Sequence, residues 1–486
     1  MIDINAKIHD QYTLELKVGY IARQELPKSD FVMNTWIFIP DSLDINRRTY
    51  PKELFYRDVH SHMRLITPVF QLSDLANIKS EPFNILSATL QRAISSKSEK
   101  DIEDFESQVK MYASIFKSAL RNAFLDINQE KDSHRCYEHC KELLSNVRTI
   151  LEHYRSLWPV LTANKDIPIK EYFQCGDEFI SNVTEQHLFL LAKHIKDENN
   201  DMFSPINKDL FDLLDKELTY KKGMNYLFVK PDDEDDNREF VHNAGLLKKY
   251  AESNLYLRAK KRHNAFFVEQ VAFMLAAGIS MTFATIIAFS FQQTFGNFTL
   301  PLFIALVVSY MFKDRIKELV RFYFAHKMGS KFFDYKITMS IHERTLGWCK
   351  EGFDYITSAK LPLHVKEKRG RTSLLETRRG IDEQIMLYRK KVHLNRKNIG
   401  RINQYPFTGV NDIIRINFFD FMKKMDNPKM PLYVNLGNEQ YNSVEAKKVY
   451  YINYIIQCRY QGVTTDYYRY RVMIGRKGIQ QIHKID

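Results

Sequence analysis

Two long uncharged runs lie back to back in the middle of this chain, and no other feature of the sequence restricts its architecture as tightly. Val271 to Phe291 (VAFMLAAGISMTFATIIAFSF) is twenty-one residues without a charge, and Thr294 to Phe312 (TFGNFTLPLFIALVVSYMF) is another nineteen. At 1.5 Å per helical residue, each approaches the roughly 30 Å of a bilayer's hydrocarbon core. Only Gln292 and Gln293 separate them, so the chain must turn back on itself, and Gly296 with Asn297 suits that turn. Lipid offers backbone N–H and C=O groups no partners, which makes both runs helical. The expected fold is that of a membrane protein: a two-helix transmembrane hairpin over residues 265–312, with mainly α (α+β) cytoplasmic domains on both sides of it in sequence.

The flanks set the expected sidedness. Lys248, Lys249, Arg258, Lys260, Lys261 and Arg262 precede the first run, Lys313, Arg315, Lys317 and Arg321 follow the second, and the connection between the runs has no basic residue. The positive-inside bias then puts both termini in the cytoplasm, with two spans in the plasma (inner) membrane, and makes these ten cations the expected contacts for anionic lipid. Ala276, Ser280 and Ala284, with Gly278 among them, and Ala305 with Ser309 place small residues at four-residue spacing. Such positions let helices approach closely, either within the hairpin or along an oligomer seam.

A chain of 486 residues exceeds the roughly 250–300 at which single cores stop growing, so at least two folded units are expected. The five cysteines, Cys136, Cys140, Cys175, Cys349 and Cys458, are odd in number and scattered, which fits a reducing compartment better than a disulfide framework. Residues 1–17 show no basic start followed by an apolar core, so no cleavable signal is expected. Charge is unevenly placed: residues 1–247 hold 31 Lys+Arg against 40 Asp+Glu, and residues 313–486 hold 34 against 17. A basic back half can meet the acidic front half, lipid headgroups or nucleic acid.

Tyr12, Leu14, Leu16, Val18 and Tyr20 alternate with polar residues as in a half-buried strand, and Phe31 to Ile39 (FVMNTWIFI) reads as a central one. Helical patterns follow near 51–65, 83–96, 101–128, 133–157, 176–197 and 206–220. Residues 1–239 are therefore expected to form an α+β domain, strands first and a helical bundle after. A juxtamembrane helix is expected over 240–264, a helical and basic connection, exposed in its later part, over 313–400, and an α+β domain over 401–486 ending in strands near 448–458, 465–474 and 479–485. Strands at both chain ends also allow one composite domain closed by the termini.

Motifs for chemistry are sparse. Cys136, His139 and Cys140 share a helix face and form the densest set of soft metal ligands, but three positions fall short of a tetrahedral zinc site, and no metal or other cofactor is implied. His194, Lys196 and Asp201 match the His-x-Lys spacing of phospholipase D-type phosphodiesterases, yet they end a helix where that family has a strand. Gly475 to Gly478 resembles the Gly-x-x-Gly loop of KH domains, but a basic hairpin turn accounts for it better. No phosphate loop, nucleophile elbow or metalloprotease helix is present in the sequence. The first functional expectation is a membrane-anchored cytoplasmic scaffold, sensor or regulatory protein without a recognisable active site. The alternatives are an oligomeric membrane effector or channel and, third, a membrane-bound phosphodiesterase-like enzyme. Expected partners are the lipid bilayer and a protein partner or homo-oligomer, with nucleic acid the least supported.

Overall fold

The computed structural model describes residues 2–22, 26–162, 167–198, 201–231, 233–264, 266–296, 299–329, 333–341, 344–370, 383–400, 402, 404–437 and 440–485. The chain forms two compact units, one from residues 1–66 and 257–486, the other from residues 67–256 inserted between them.

The first unit is built on two antiparallel sheets. Strands β1 (Ile2–Ile8), β2 (Thr13–Ile21), β3 (Lys28–Pro40) and β4 (Val59–Leu65) come before the insertion, with a short helix α1 (Lys52–Asp58) between β3 and β4. After it come β5 (Arg258–His263), β6 (Tyr335–Ile341), β7 (Arg344–Ile356), β8 (Glu383–Asn395), β9 (Gly409–Asn417), β10 (Lys429–Gly437), β11 (Gln440–Lys447), β12 (Tyr450–Tyr460), β13 (Val463–Gly475) and β14 (Gly478–Ile485). One sheet runs β1-β2-β9-β4, the other β14-β13-β12-β3-β8-β7-β6-β5, and β10 and β11 form a two-stranded ribbon. The larger sheet brings β3 between β8 and β12, so the chain termini close the fold. β3 earns its central place through residues that suit a pleated surface buried on both sides: Phe31, Trp36, Phe38 and Ile39 are buried, and Pro40 ends the run. Gly409 is needed where β9 meets β2, because a Cβ there would overlap the carbonyl oxygen of Tyr20.

The second unit is helical: α2 (Leu72–Ala76), α3 (Glu81–Ser96), α4 (Glu99–Gln129), α5 (Ser133–Arg155), α6 (Trp158–Thr162), α7 (Ile167–Glu198), α8 (Ser204–Met224) and α9 (Glu234–Glu252). Phe105, Val109, Tyr112, Phe116 and Leu120 recur every three or four residues along α4 and are fully buried, which makes α4 the axis of the bundle.

Between β5 and β6 the first unit carries a helical hairpin, α10 (Phe266–Phe295) and α11 (Leu300–Gly329). The structure corrects the expectation of a two-span transmembrane hairpin here. The second uncharged run is not one helix: Thr294 and Phe295 finish α10, Gly296 turns with φ +79°, and α11 starts only at Leu300. From Leu300 to Phe312, before Lys313, α11 has thirteen uncharged residues, about 20 Å at helical rise and well short of a hydrocarbon core. Among the described residues one helix segment, Phe273–Phe295, is long and apolar enough to cross a membrane by length and composition. The expected fold class therefore gives way to a mixed α+β architecture with large antiparallel sheets, and the multi-pass location with both termini cytoplasmic loses its basis, as does the positive-inside argument.

Three local expectations also differ. Residues 240–264 do not form one continuous helix: α9 ends at Glu252 and Arg258–His263 is strand β5. His60 and His62 lie on strand β4 rather than on a helix. The basic stretch around RKKVHLN is β8, an interior strand of the larger sheet, because it pairs with β3 on one side and β7 on the other.

Candidate functional site

Among the described residues of the first unit, the α10–α11 hairpin presents the most exposed large apolar side chains. Its two helices pack side by side through small residues: Ala276, Ser280, Ala305 and Ser309 are buried, Ala284 is half-buried, and the Ser309 hydroxyl donates to the Ala284 carbonyl oxygen at 3.4 Å. Gly278 stands apart from the seam, exposed and with nothing within 4 Å of where a Cβ would sit. Large side chains cover the rest. Met274, Ile279, Phe283, Ile286 and Phe289 of α10, and Phe303, Val307, Tyr310 and Met311 of α11, are all exposed. A helix apolar on every side is normally buried, since one apolar stripe suffices to dock a surface helix.

The cations expected to meet anionic lipid lie on three elements, β5, α11 and α9. Arg258, Lys260, Lys261 and Arg262 are exposed on β5, the edge of the larger sheet, where Lys261 lies 4.1 Å from the Tyr335 ring centroid. Lys313, Arg315, Lys317 and Arg321 follow the apolar part of α11, with Lys313 over Tyr310 at 4.2 Å and Arg321 over Phe273 at 5.1 Å. Lys248 and Lys249 are exposed on α9 of the other unit. Charge at an exposed sheet edge also discourages strand addition, which is reason enough for the β5 cluster.

The metal candidates do not assemble. Cys136 and Cys140 are buried along α5, while His139 faces away, exposed. His194 of α7 approaches instead, its Nε2 3.9 Å from the Cys136 sulfur. Among the described residues no group of three or more His, Cys, Asp or Glu is placed to hold a metal ion. Burial, with Cys136 adjacent, pushes the Cys140 thiol up to about 12, so it stays protonated and a poor ligand. The helical setting of His194 and Lys196 is the one the sequence indicated, not the strand a phosphodiesterase motif requires.

The interior of the first unit holds a charged cluster that sequence reading missed. Lys390 of β8 faces Glu351 of β7 as its cross-strand partner, and Asp412 of β9 and Ser61 of β4 reach in from the other sheet. Lys390 Nζ lies 2.9 Å from Glu351 Oε1, donates to Ser61 Oγ at 3.0 Å and contacts Asp412 Oδ2. The Ser61 hydroxyl donates to Asp412 Oδ1 at 2.6 Å, and the Tyr388 hydroxyl donates to Glu351 Oε1 at 3.0 Å. Lys390 and Asp412 are 0% exposed and Glu351 is 3%. Burial would strip the Lys390 proton, but the facing charges of Asp412 and Glu351 outweigh it and hold the ammonium well above the ordinary lysine range. Burial likewise opposes the Glu351 carboxylate, and Lys390 more than offsets this, holding it below the usual range.

The chain matches no family model, no curated protein and no solved structure. Geometry alone therefore carries the functional reading. The signal for the Lys390 cluster was present but weak: in EQIMLYRKKVHLN, Met386, Tyr388, Lys390, Val392 and Leu394 alternate on one buried face, with a lysine where an apolar residue is expected. The β10–β11 ribbon, exposed throughout β10, was also missed, because its composition mixes Leu432, Tyr433 and Val434 with Asn435 and Asn442 without a clean alternation.

Proposed function

We propose that this chain is a scaffold or regulatory protein that self-associates, with the α10–α11 hairpin as its assembly element and a second copy of the same chain as the occupant of its apolar surface. The single observation that carries this reading is the exposure of seventeen large apolar side chains among the described residues between Met274 and Phe312. At about half of a ~150–200 Å² side chain each, they leave on the order of 1,500 Å² uncovered, about twice the ~800 Å² per partner of a standard interface. A soluble monomer rarely leaves a patch above a few hundred Å². Two such hairpins packed against each other make a four-helix bundle, the simplest arrangement that buries helices apolar on all sides. The thirteen-residue apolar part of α11 favours a protein counter-surface over lipid, since a copy of the hairpin has the same length.

The test is the mass of the purified full chain in solution by analytical ultracentrifugation. A dimer or higher assembly is expected, converted to monomer by Ile279→Glu, Ile286→Glu and Phe303→Glu together, with far-UV dichroism unchanged. A monomeric wild-type chain, or one that floats with liposomes as a monomer, would overturn the reading.

A further inference from the structure

A wholly buried lysine with two buried carboxylates is an expensive arrangement if it remains ionic, and it also has the composition of an amide-forming centre. Two buried carboxylates touch one buried ammonium, with Lys261 the further cation acting on Glu351, and desolvating each ion is costly. The geometry points to a covalent end state: we propose that Lys390 Nζ and Asp412 Cγ condense to an intramolecular amide, with Glu351 handling the protons, so that β8 of one sheet and β9 of the other are joined by a side-chain bond.

The placement of each group fits one part of the reaction. Lys390 touches Asp412 Oδ2, the oxygen that would leave, while Ser61 holds Oδ1, the oxygen that would remain as the amide carbonyl. Glu351 Oε1 lies 2.9 Å from the nucleophilic nitrogen, within proton-transfer distance, and is oriented by the Tyr388 hydroxyl. Tyr20 and Cys349, both wholly buried, lie within electrostatic reach and keep the surroundings apolar.

In the resting cluster Lys390 is an ammonium and Glu351 a carboxylate, so the reaction starts from the less populated state that has taken up one further proton, and in that state the protons balance. The form with a Lys390 ammonium, an Asp412 carboxylate and a Glu351 carboxylic acid has as many protons as the form with a neutral amine and two carboxylic acids. Low dielectric favours the second form relative to water, because it carries no charge. The amine lone pair attacks Cγ, and the carbonyl electron pair moves onto Oδ1, which takes a hydrogen bond from Ser61. Glu351 gives its proton to the departing Oδ2 hydroxyl and receives the proton released by nitrogen. The Cγ–Oδ2 bond breaks, water leaves, and Glu351 ends in its starting state. No oxidant, metal or cofactor takes part. The product has neither ammonium nor Asp412 carboxylate, so the burial cost that strains the ionic state is removed with them.

A second buried lysine sharpens the specificity. Lys221 in the helical unit donates to Asn182 Oδ1 at 2.8 Å and contacts Glu185, but the Glu185 side chain is 19% exposed, so water can solvate that centre and the drive toward a neutral product is absent.

The test is intact-mass spectrometry of the purified full chain, followed by proteolytic mapping. The wild-type chain is expected to be lighter than its sequence by one water, with a branched peptide joining Lys390 to Asp412, and Glu351→Gln is expected to restore the full mass. A wild-type chain at full sequence mass overturns the proposal, as does a link mapped to any other pair. A Glu351→Gln chain that still loses water removes Glu351 from the reaction. Because the wild-type measurement decides by itself, a variant that fails to fold leaves the proposal fully exposed to refutation.

Discussion

Arg155 shows how far a single side chain can organise the helical unit. Its guanidinium donates to both Glu217 carboxylate oxygens at 2.8 Å and to Asp177 at 3.2 Å, and it stacks 3.5 Å from the Tyr220 ring centroid. Asp177 also accepts from the hydroxyls of Tyr220 and Tyr226, and Ser181 donates to Glu217 at 2.8 Å. Burial raises the Asp177 carboxyl above its ordinary range, with Arg155 opposing that rise. Arg155→Met should therefore leave two buried carboxylates without their cation and destabilise the unit by about 3–5 kcal/mol, read as an earlier unfolding transition in urea followed by far-UV dichroism. An unchanged midpoint would show that the network contributes no net stability. Nothing in the sequence marked Arg155, since its partners lie 22 and 62 residues away and only helix packing brings them together.

At the scale of elements, two features leave the first unit with little of their surface covered. One is the helical hairpin; the other is the β10–β11 ribbon, where every β10 residue is exposed, including Leu432, Tyr433 and Leu436. A two-stranded ribbon is at best marginally stable alone, so this one is held by its junction with the sheet, where Lys448 N–H donates to the Pro428 carbonyl oxygen at 3.0 Å. Replacing residues 430–446 by a short Gly-Asn turn should leave the thermal midpoint of the full chain within about 2 °C, because no core contact is lost. A larger fall would mean that the ribbon packs on something in solution. The alternating strand β2, the apolar strands β3 and β12, and the long amphipathic helices α3, α4 and α5 were legible from period alone. β4 and β5 were not: β4 buries Val59, Met63 and Leu65 on one face but runs on directly from the helical stretch before it, and β5 has no apolar alternation and becomes a strand through pairing with β6.

For the molecule as a whole, the order of insertion matters more than any one element. The chain leaves the β unit after Ile66 and returns at Leu257, whose N–H donates to the Met63 carbonyl oxygen at 3.1 Å, so exit and entry points are neighbours. Residues 67–256 expressed alone should fold as a cooperative helical bundle, since α4 has its own buried stripe. Thermal unfolding by dichroism would check this, and a non-cooperative trace would show that the bundle depends on the rest of the chain.

What the sequence determined by itself was periodicity and polarity: two apolar helical runs, a helical bundle before them, and β-rich ends. Apolar spacing is local information, and it survives without knowledge of partners. What only the tertiary structure decided was register and termination. The second apolar run is divided by a turn at Gly296, which shortens its helix below a hydrocarbon core, and Lys390, Asp412 and Glu351 meet because three strands distant in sequence align. Both outcomes depend on long-range hydrogen bonding between strands and on where a helix stops, and local composition marks them only faintly, as a turn-forming Gly296 and as a lysine on the apolar face of β8.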